Sequence, residues 1–218
     1  MLVKDIMSTN VVSIPSNTPV MEARKIMETH KIRRMPVVDK GKLVGMVTRN
    51  MARRAAPSEA TSLSVWEINY LMAKMTVKEI MKKELTSISP DATVECAVAT
   101  AQEHSVGALP VVEDNMVVGM VTTNDFFYKI LNPLLGIRES GRRVIIYGAD
   151  TPDQVCNVMD IIKEAGVTIK AMHTISLPGA MSRDLVVHLE TEDVSAIVAK
   201  LKGLSYHVDE REYQPCAV

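Results

Sequence analysis

"GMVTTNDFF", Gly119 to Phe127, repeats an earlier phrase, "GMVTRNMAR", Gly45 to Arg53. The two share Gly-Met-Val-Thr and a later Asn, and they part where the second has Asp125 and the first has Met51. The echo runs far beyond this phrase. The same step of 74 residues carries Val3-Lys4 to Val77-Lys78, Ile6-Met7 to Ile80-Met81 and Ser13-Ile14 to Ser87-Ile88. It also carries Pro36-Val37-Val38 to Pro110-Val111-Val112 without a gap. A fixed period of this kind is an internal duplication.

Each copy has the same pattern. "VVSI" or "LTSI" reads as a short strand. A helix follows, with Thr18 as its N-cap in the first copy, Pro19 at its first position, and Val20, Ala23 and Met27 at helical spacing. "MPVVD" is a second strand, "KGK" or "EDN" a turn, and "LVGMVT" or "VVGMVT" an apolar strand suited to burial on both faces. Another helix closes the unit, giving β-α-β-β-α. So small a sheet cannot cover both its faces, so the copies are expected to pack together. Between them, Pro57 to Met75 carries Val65, Ile68, Leu71, Met72 and Met75 as a helical apolar stripe, read as a connecting helix. After about Arg143 the pattern changes to βαββαβ, a ferredoxin-like order. Its first helix opens at Thr151-Pro152 and ends before Gly166, and a second is expected over Glu192–Leu204.

The chain has 218 residues, 47% hydrophobic and 23% charged, which fits an ordinary globular protein, and the element orders above make its expected fold class α+β. No apolar run approaches the roughly 18 residues of a membrane helix. The N-terminus shows no signal-peptide pattern, and three widely spaced cysteines, Cys96, Cys156 and Cys216, do not suit a disulfide framework. A cytoplasmic protein is expected. Net charge is −1, but residues 1–56 hold eleven Lys/Arg against four Asp/Glu, a net +7 that leaves −8 for the remainder. A basic segment of this kind suits an anionic ligand or an acidic surface. Aromatics are only 4% and do not interleave with the basic residues, so nucleic acid is not an expected partner. The histidines show no metal spacing and no catalytic motif is found. Cys96, between Val94 and Ala97, reads as a core residue, and the methionines read as core filler.

The residues "VKDIM", "RRMPVVDKGKLVGMVT" and "ALPVVEDNMVVGMVTTND" resemble the CBS domain, and the pair resembles a CBS tandem, or Bateman module. The C-terminal βαββαβ segment is similar to an ACT domain. The joining phrase "PSEATSLSVWEINYLMAKMTVKEIM" and the CBS–CBS–ACT order resemble the AcuB-type proteins of acetoin utilisation. The expected layout is a first repeat over 1–56, a connecting helix over 57–75, a second repeat over 76–132, a linker over 133–141 and an ACT-like domain over 142–218.

The resemblance implies a non-catalytic regulatory module that binds AMP, ADP, ATP or S-adenosylmethionine between the repeats. It implies no catalytic cofactor and no metal. Nucleotide-binding residues would be Thr122, Asn124 and Asp125 from the second copy with Ser8, Thr9, Ile32, Arg33 and Arg34 from the first. A weaker second pocket would use Thr48, Asn50, Thr86, Val106 and Ala108. Asp125 is a good acceptor for the two hydroxyls of a ribose. Arg33 and Arg34 could hold phosphates bidentately. Thr-x-x-Asp at a helix start is also a capping box, and the two roles can coexist. Met51 cannot accept a hydrogen bond from ribose. In the ACT-like segment, Asp153 follows Pro152 where amino-acid-binding relatives usually have Gly, which favours dimerisation without a ligand. A homodimer and an unidentified regulated partner, protein or enzyme, are implied. The alternative is a structural or interaction dimer with a vestigial nucleotide cleft.

Overall fold

A computed structural model describes residues 1–55, 70, 74–176 and 178–212. The apolar stripe expected over 57–75 lies largely outside the described residues. The chain divides into two compact units, Met1–Phe126 and Phe127–Val218.

In the first unit each repeat is built on one β-hairpin. β1 (Arg34–Asp39) pairs antiparallel with β2 (Lys42–Thr48), and β3 (Ala108–Glu113) pairs with β4 (Met116–Thr122). Both hairpins carry a register shift at the same place, Val37/Val38 and Val111/Val112. Both turns use two left-handed residues, Lys40-Gly41 and Asp114-Asn115, whose twist matches that of the flanking strands. The first strand expected in each copy is reduced to a single parallel bridge, Ile14 to Val37 and Ile88 to Val111. Ile14 N–H donates to Pro36 O at 3.2 Å, and Val38 N–H donates to Ile14 O at 2.9 Å. Pro15, and Pro90 two residues after Ile88, have no N–H with which to extend the ladder. The observed repeat is therefore a bridge, a helix, a hairpin and a closing helix.

The helix of the first repeat is Val20–Thr29, with Pro19 rather than Thr18 as its N-cap. Thr18 is buried, and its carbonyl accepts Val77 N–H at 2.8 Å, so it lies outside the helix. The second repeat has Val94–Glu103, capped by Thr93 Oγ1 on Cys96 N–H at 3.2 Å. That helix buries Val94 and Ala97. Cys96 lies about 200° round from Val94 on a 3.6-residue helix and is exposed, contrary to the core reading. Met27 and Met35 are core residues as expected, whereas Met21 is exposed.

The sequence pattern does not reveal that the repeats exchange their N-terminal segments. Short helical turns at Val3–Ile6 and Val77–Ile80 each lie against the opposite copy. Val3 N–H donates to Ala92 O at 2.9 Å and Lys4 N–H to Pro90 O at 3.0 Å. Reciprocally, Lys78 N–H donates to Ser16 O at 2.9 Å, and Val20 N–H to Met75 O at 3.0 Å. Val77 belongs to the core of the first repeat, together with Val20, Met27, Met35, Val37 and Val47. Fully burying one such valine contributes about 1.5–3 kcal/mol. Each segment then crosses the edge of the other copy's second hairpin strand. Ser8 exchanges two backbone bonds with Met120 at 2.9 and 3.0 Å, and Lys82 exchanges two with Met46 at 2.9 Å each.

This crossing accounts for the repeated glycine. A Cβ on Gly119 would stand 2.4 Å from Met7 Sδ, and one on Gly45 would stand 2.4 Å from Met81 Sδ. Met46, Ala108 and Met120, with Val11 and Leu85 against them, form a small apolar cluster where the hairpins meet.

The second unit opens with a π-helical turn, Phe127–Leu131, and a short helix, Asn132–Leu135. An antiparallel sheet follows with the order β6-β7-β5-β8, made of β5 (Arg142–Ile146), β6 (Ile169–Ile175), β7 (Asp184–Leu189) and β8 (Val208–Glu212). Helix Pro152–Ala165 starts at Thr151 with a capping box to Gln154 and ends at left-handed Gly166. The second helix runs Ser195–Gly203, shorter than the expected Glu192–Leu204. Asp193 Oδ1 accepts from both Ser195 N–H and Ser195 Oγ, at 2.9 and 2.5 Å, which starts the helix late. Both helices pack on Val144, Ile146, Leu185, Val187 and Leu189, so the βαββαβ order holds.

Candidate functional site

The phrase Gly-Met-Val-Thr places a threonine where a buried strand turns into a helix. In the second copy, Asp125 Oδ2 accepts from Thr122 N–H at 2.8 Å and from Thr122 Oγ1 at 2.6 Å. The capping role of this carboxylate is therefore present. In the first copy, Thr48 Oγ1 accepts Met51 N–H at 3.2 Å. Losing the carboxylate reverses the hydroxyl's role from donor to acceptor.

Thr122 and Asp125 open onto a cavity of ≈ 430 Å³ inside the first unit. The first copy contributes Ser8, Asn10, Val11 and Val12 from its exchanged segment, and Lys31, Ile32, Arg33, Arg34 and Pro36 around the start of β1. The second copy contributes Gly107, Met120, Thr122, Thr123, Asn124 and Asp125. The structure thus brings together Thr122, Asn124, Asp125, Ser8, Ile32, Arg33 and Arg34 of the expected set. Thr9 is not among the lining residues; it is exposed, and its carbonyl accepts Val11 N–H at 2.9 Å in a turn.

Two backbone anchors hold the walls. Arg49 N–H donates to Arg33 O at 2.9 Å, and Arg49 Nη2 donates to Ile32 O at 3.1 Å. In the second copy Thr123 N–H and Oγ1 donate to Gly107 O at 3.3 and 3.2 Å. Arg34 reaches from the first copy over Gly107, where an added Cβ would lie 2.6 Å from its Nη2. Gly107 stands where the first copy has Arg33, so this glycine makes room for the other copy's arginine.

Sequence reasoning missed Lys31, Gly107, Thr123 and the segment Asn10–Val12. The run "KIRR" held the signal for Lys31. Asn10–Val12 was hidden by reading its valines as part of a strand. Of the residues expected in a second pocket, Thr48 caps helix Arg49–Arg54 and Asn50 is exposed. Ala108 is buried in the cluster between the hairpins, Val106 N–H donates to Ala101 O at 2.9 Å, and Thr86 is half-buried. No group of three or more His, Cys, Asp or Glu among the described residues could hold a metal ion. No helix among them is long and apolar enough to cross a membrane.

Two copies of one unit, exchanging segments around a polar cavity that both line, define a duplicated module with one shared cavity. The CBS domain family model matches residues 3–58 and 77–132, and the chain belongs to the CBS domain family. The CBS domain-containing protein YhcV of Bacillus subtilis is 32% identical over 124 residues, 56% of this chain and 81% of that protein. The L-aspartate semialdehyde sulfurtransferase of Methanocaldococcus jannaschii is 34% identical over 128 residues, 57% of this chain but only 22% of the enzyme. The enzyme-named relatives of 30% identity or more match over 56–61% of this chain and only 22–25% of their own length. The CBS domain pair of protein MJ0100, solved with 5′-methylthioadenosine and S-adenosyl-L-methionine, aligns with a TM-score of 0.50 at 31% identity, over 61% of this chain and 97% of that one. A Vibrio cholerae protein assigned to acetoin utilization (AcuB) aligns with a TM-score of 0.51 at 28% identity, over 61% of this chain and 91% of that one.

Proposed function

We propose that this protein is a non-catalytic regulator that binds an adenosine-containing ligand in the cavity between its repeats. The observation that carries this reading is the convergence of Thr122 and Asp125 from one copy with Ile32, Arg33 and Arg34 from the other on one cavity. A carboxylate at a strand–helix junction can accept both hydroxyls of a ribose, and adjacent backbone and apolar side chains can hold a flat base. The complex of the MJ0100 domain pair with two adenosine compounds supports the same ligand class here.

Occupancy would be passed to a partner or to the second unit, which we read as an ACT-like, ferredoxin-like domain serving dimerisation. Its strand order and Asp153 after Pro152 support that reading over amino-acid binding. A role in acetoin utilisation rests on the likeness to the AcuB structure. Sedimentation at micromolar concentration should give a species near twice 24.0 kDa, and a clean monomer would refute the dimer. Thermal shift of the full chain with AMP, ADP, ATP, S-adenosylmethionine and 5′-methylthioadenosine tests the ligand class. A flat response to all five from folded protein would leave the vestigial-cleft alternative.

A further inference from the structure

The cavity has a charge pattern as well as a shape. Lys31, Arg33 and Arg34 line one wall, and none of them forms an ion pair among the described residues. The lining carboxylate is Asp125, whose Oδ2 is already engaged twice by Thr122. The arginine backbones are tied down through Arg33 O and Ile32 O, so the guanidinium groups work from a fixed base. Arg34 is laid across the copy boundary onto Gly107.

We propose that the cavity is built for an adenosine di- or triphosphate and discriminates against the sulfonium compound S-adenosylmethionine; this rests on the adenosine-ligand reading above. Guanidinium groups match phosphate oxygens bidentately and stay charged at any physiological pH. S-adenosylmethionine offers the arginines one carboxylate but brings a sulfonium and an ammonium with it, so it is net positive where ADP is net negative, beside three cations and one carboxylate. The volume of ≈ 430 Å³ lies within the range of pockets that enclose nucleotide-sized ligands. The other copy has Gly107-Ala108 in place of Arg33-Arg34, so this charge is confined to one side of the pseudo-symmetric pair.

Calorimetric titration of the full chain with 5′-methylthioadenosine, ADP, S-adenosylmethionine and pyrophosphate tests the proposal at two salt concentrations. ADP should bind about ten-fold or more tighter than 5′-methylthioadenosine, and that advantage should shrink with salt. S-adenosylmethionine should bind more weakly than 5′-methylthioadenosine. Arg34→Ala should weaken ADP several-fold more than it weakens 5′-methylthioadenosine. Gly107→Ala, which removes no charge but displaces the Arg34 guanidinium, should shift the ratio of the two affinities in the same direction, each variant read beside its ligand-free melting temperature. S-adenosylmethionine binding as tightly as 5′-methylthioadenosine, or ADP showing no advantage over it, overturns the charge selectivity alone. Pyrophosphate binding as well as ADP overturns the adenosine requirement. Silence from all four compounds overturns both this proposal and the reading beneath it.

Discussion

The two strand–helix junctions, Thr48–Met51 and Thr122–Asp125, have the same scaffold and different chemistry. Each follows a strand that presents a glycine to a methionine of the other copy. Each is anchored from the residue after the threonine: Arg49 N–H reaches Arg33 O, and Thr123 N–H reaches Gly107 O. What differs is one carboxylate and one pair of arginines, and the two differences run in opposite directions. The second copy has the carboxylate and lacks the arginines; the first has the arginines and lacks the carboxylate. Because the cavity is lined by both copies, the acid of one and the cations of the other meet in a single place. A comparison of the copies in isolation would score each as half-degenerate. In the fold they are complementary walls of one cavity.

The largest effect should come from breaking this complementarity at its acid. Asp125→Ala removes hydrogen bonds to a charged acceptor, worth roughly 1.5–3 kcal/mol, so affinity for an adenosine ligand should fall roughly 10- to 150-fold. Met51→Ala should leave it within about two-fold. Calorimetric titration decides, and the opposite ranking would move the ligand to the other junction. Because Asp125 also caps its helix, the ligand-free melting temperature of each variant must be measured beside the titration.

Next in size is the shared glycine. Gly119→Ala and Gly45→Ala should each destabilise the protein by about 1–3 kcal/mol in urea melts, through overpacking against Met7 or Met81. The double variant Gly119→Ala/Met7→Ala should lose less than the sum of its single variants, since shortening the methionine removes the clash. Strict additivity would mean that the glycine serves something other than the crossing segment.

These contrasts separate what a sequence can disclose from what it cannot. The period of 74 residues was legible because it needs only the chain compared with itself. The alternation of turns and apolar runs, the carboxylate difference and the arginine pair were legible because each is local. The βαββαβ order of the second unit was legible through Thr151, Pro152 and Gly166, whose capping roles depend only on their neighbours. The exchange of Met1–Ile6 and Thr76–Ile80 was not legible, because a four-residue turn has no periodicity of its own. The partners of Val3 and Val77 lie some 60 to 90 positions away. The strand expected at "VVSI" failed for a related reason: β-branched composition suggested a ladder that Pro15 stops after one bridge. Gly107 owes its place to Arg34 reaching across copies, which no local pattern records.

A smaller effect is expected from restoring symmetry. Met51→Asp would give Thr48 the partner that Thr122 has, and a good N-terminal cap contributes about 0.5–1 kcal/mol. The gain should appear in the urea midpoint. Binding stoichiometry should stay unchanged, because the cations that would face the new acid are replaced by Gly107 and Ala108. A second equivalent of nucleotide per chain would show that the carboxylate alone makes a site.

The smallest expected effect lies at the exchanged turns, where the copies differ again. Glu79 Oε1 accepts from Thr76 N–H at 2.8 Å and from Thr76 Oγ1 at 3.0 Å. In the first copy Asp5 Oδ2 accepts from Leu2 N–H at 2.8 Å, and leucine has no hydroxyl to add. The Thr76 backbone bond, followed by its hydroxyl, holds the Glu79 carboxyl below the usual glutamate range. A carboxyl with a folded pKa below its unfolded value takes up its proton later in the folded state as pH falls. Its stabilising contribution is thus complete above the unfolded value, about 4.3, and is lost as pH falls through the folded one. The group is exposed, so solvent and salt screen the effect. Glu79→Gln keeps an acceptor but cannot titrate. Urea midpoints followed from about pH 5.5 down to pH 3 should therefore fall less steeply for Glu79→Gln than for the unsubstituted chain. Thr76→Leu, which copies the first repeat, should lie between them because one of the two bonds remains. Parallel curves for all three proteins would mean that the exchanged turn is held by Val77 and its backbone bonds alone, with the acid adding nothing.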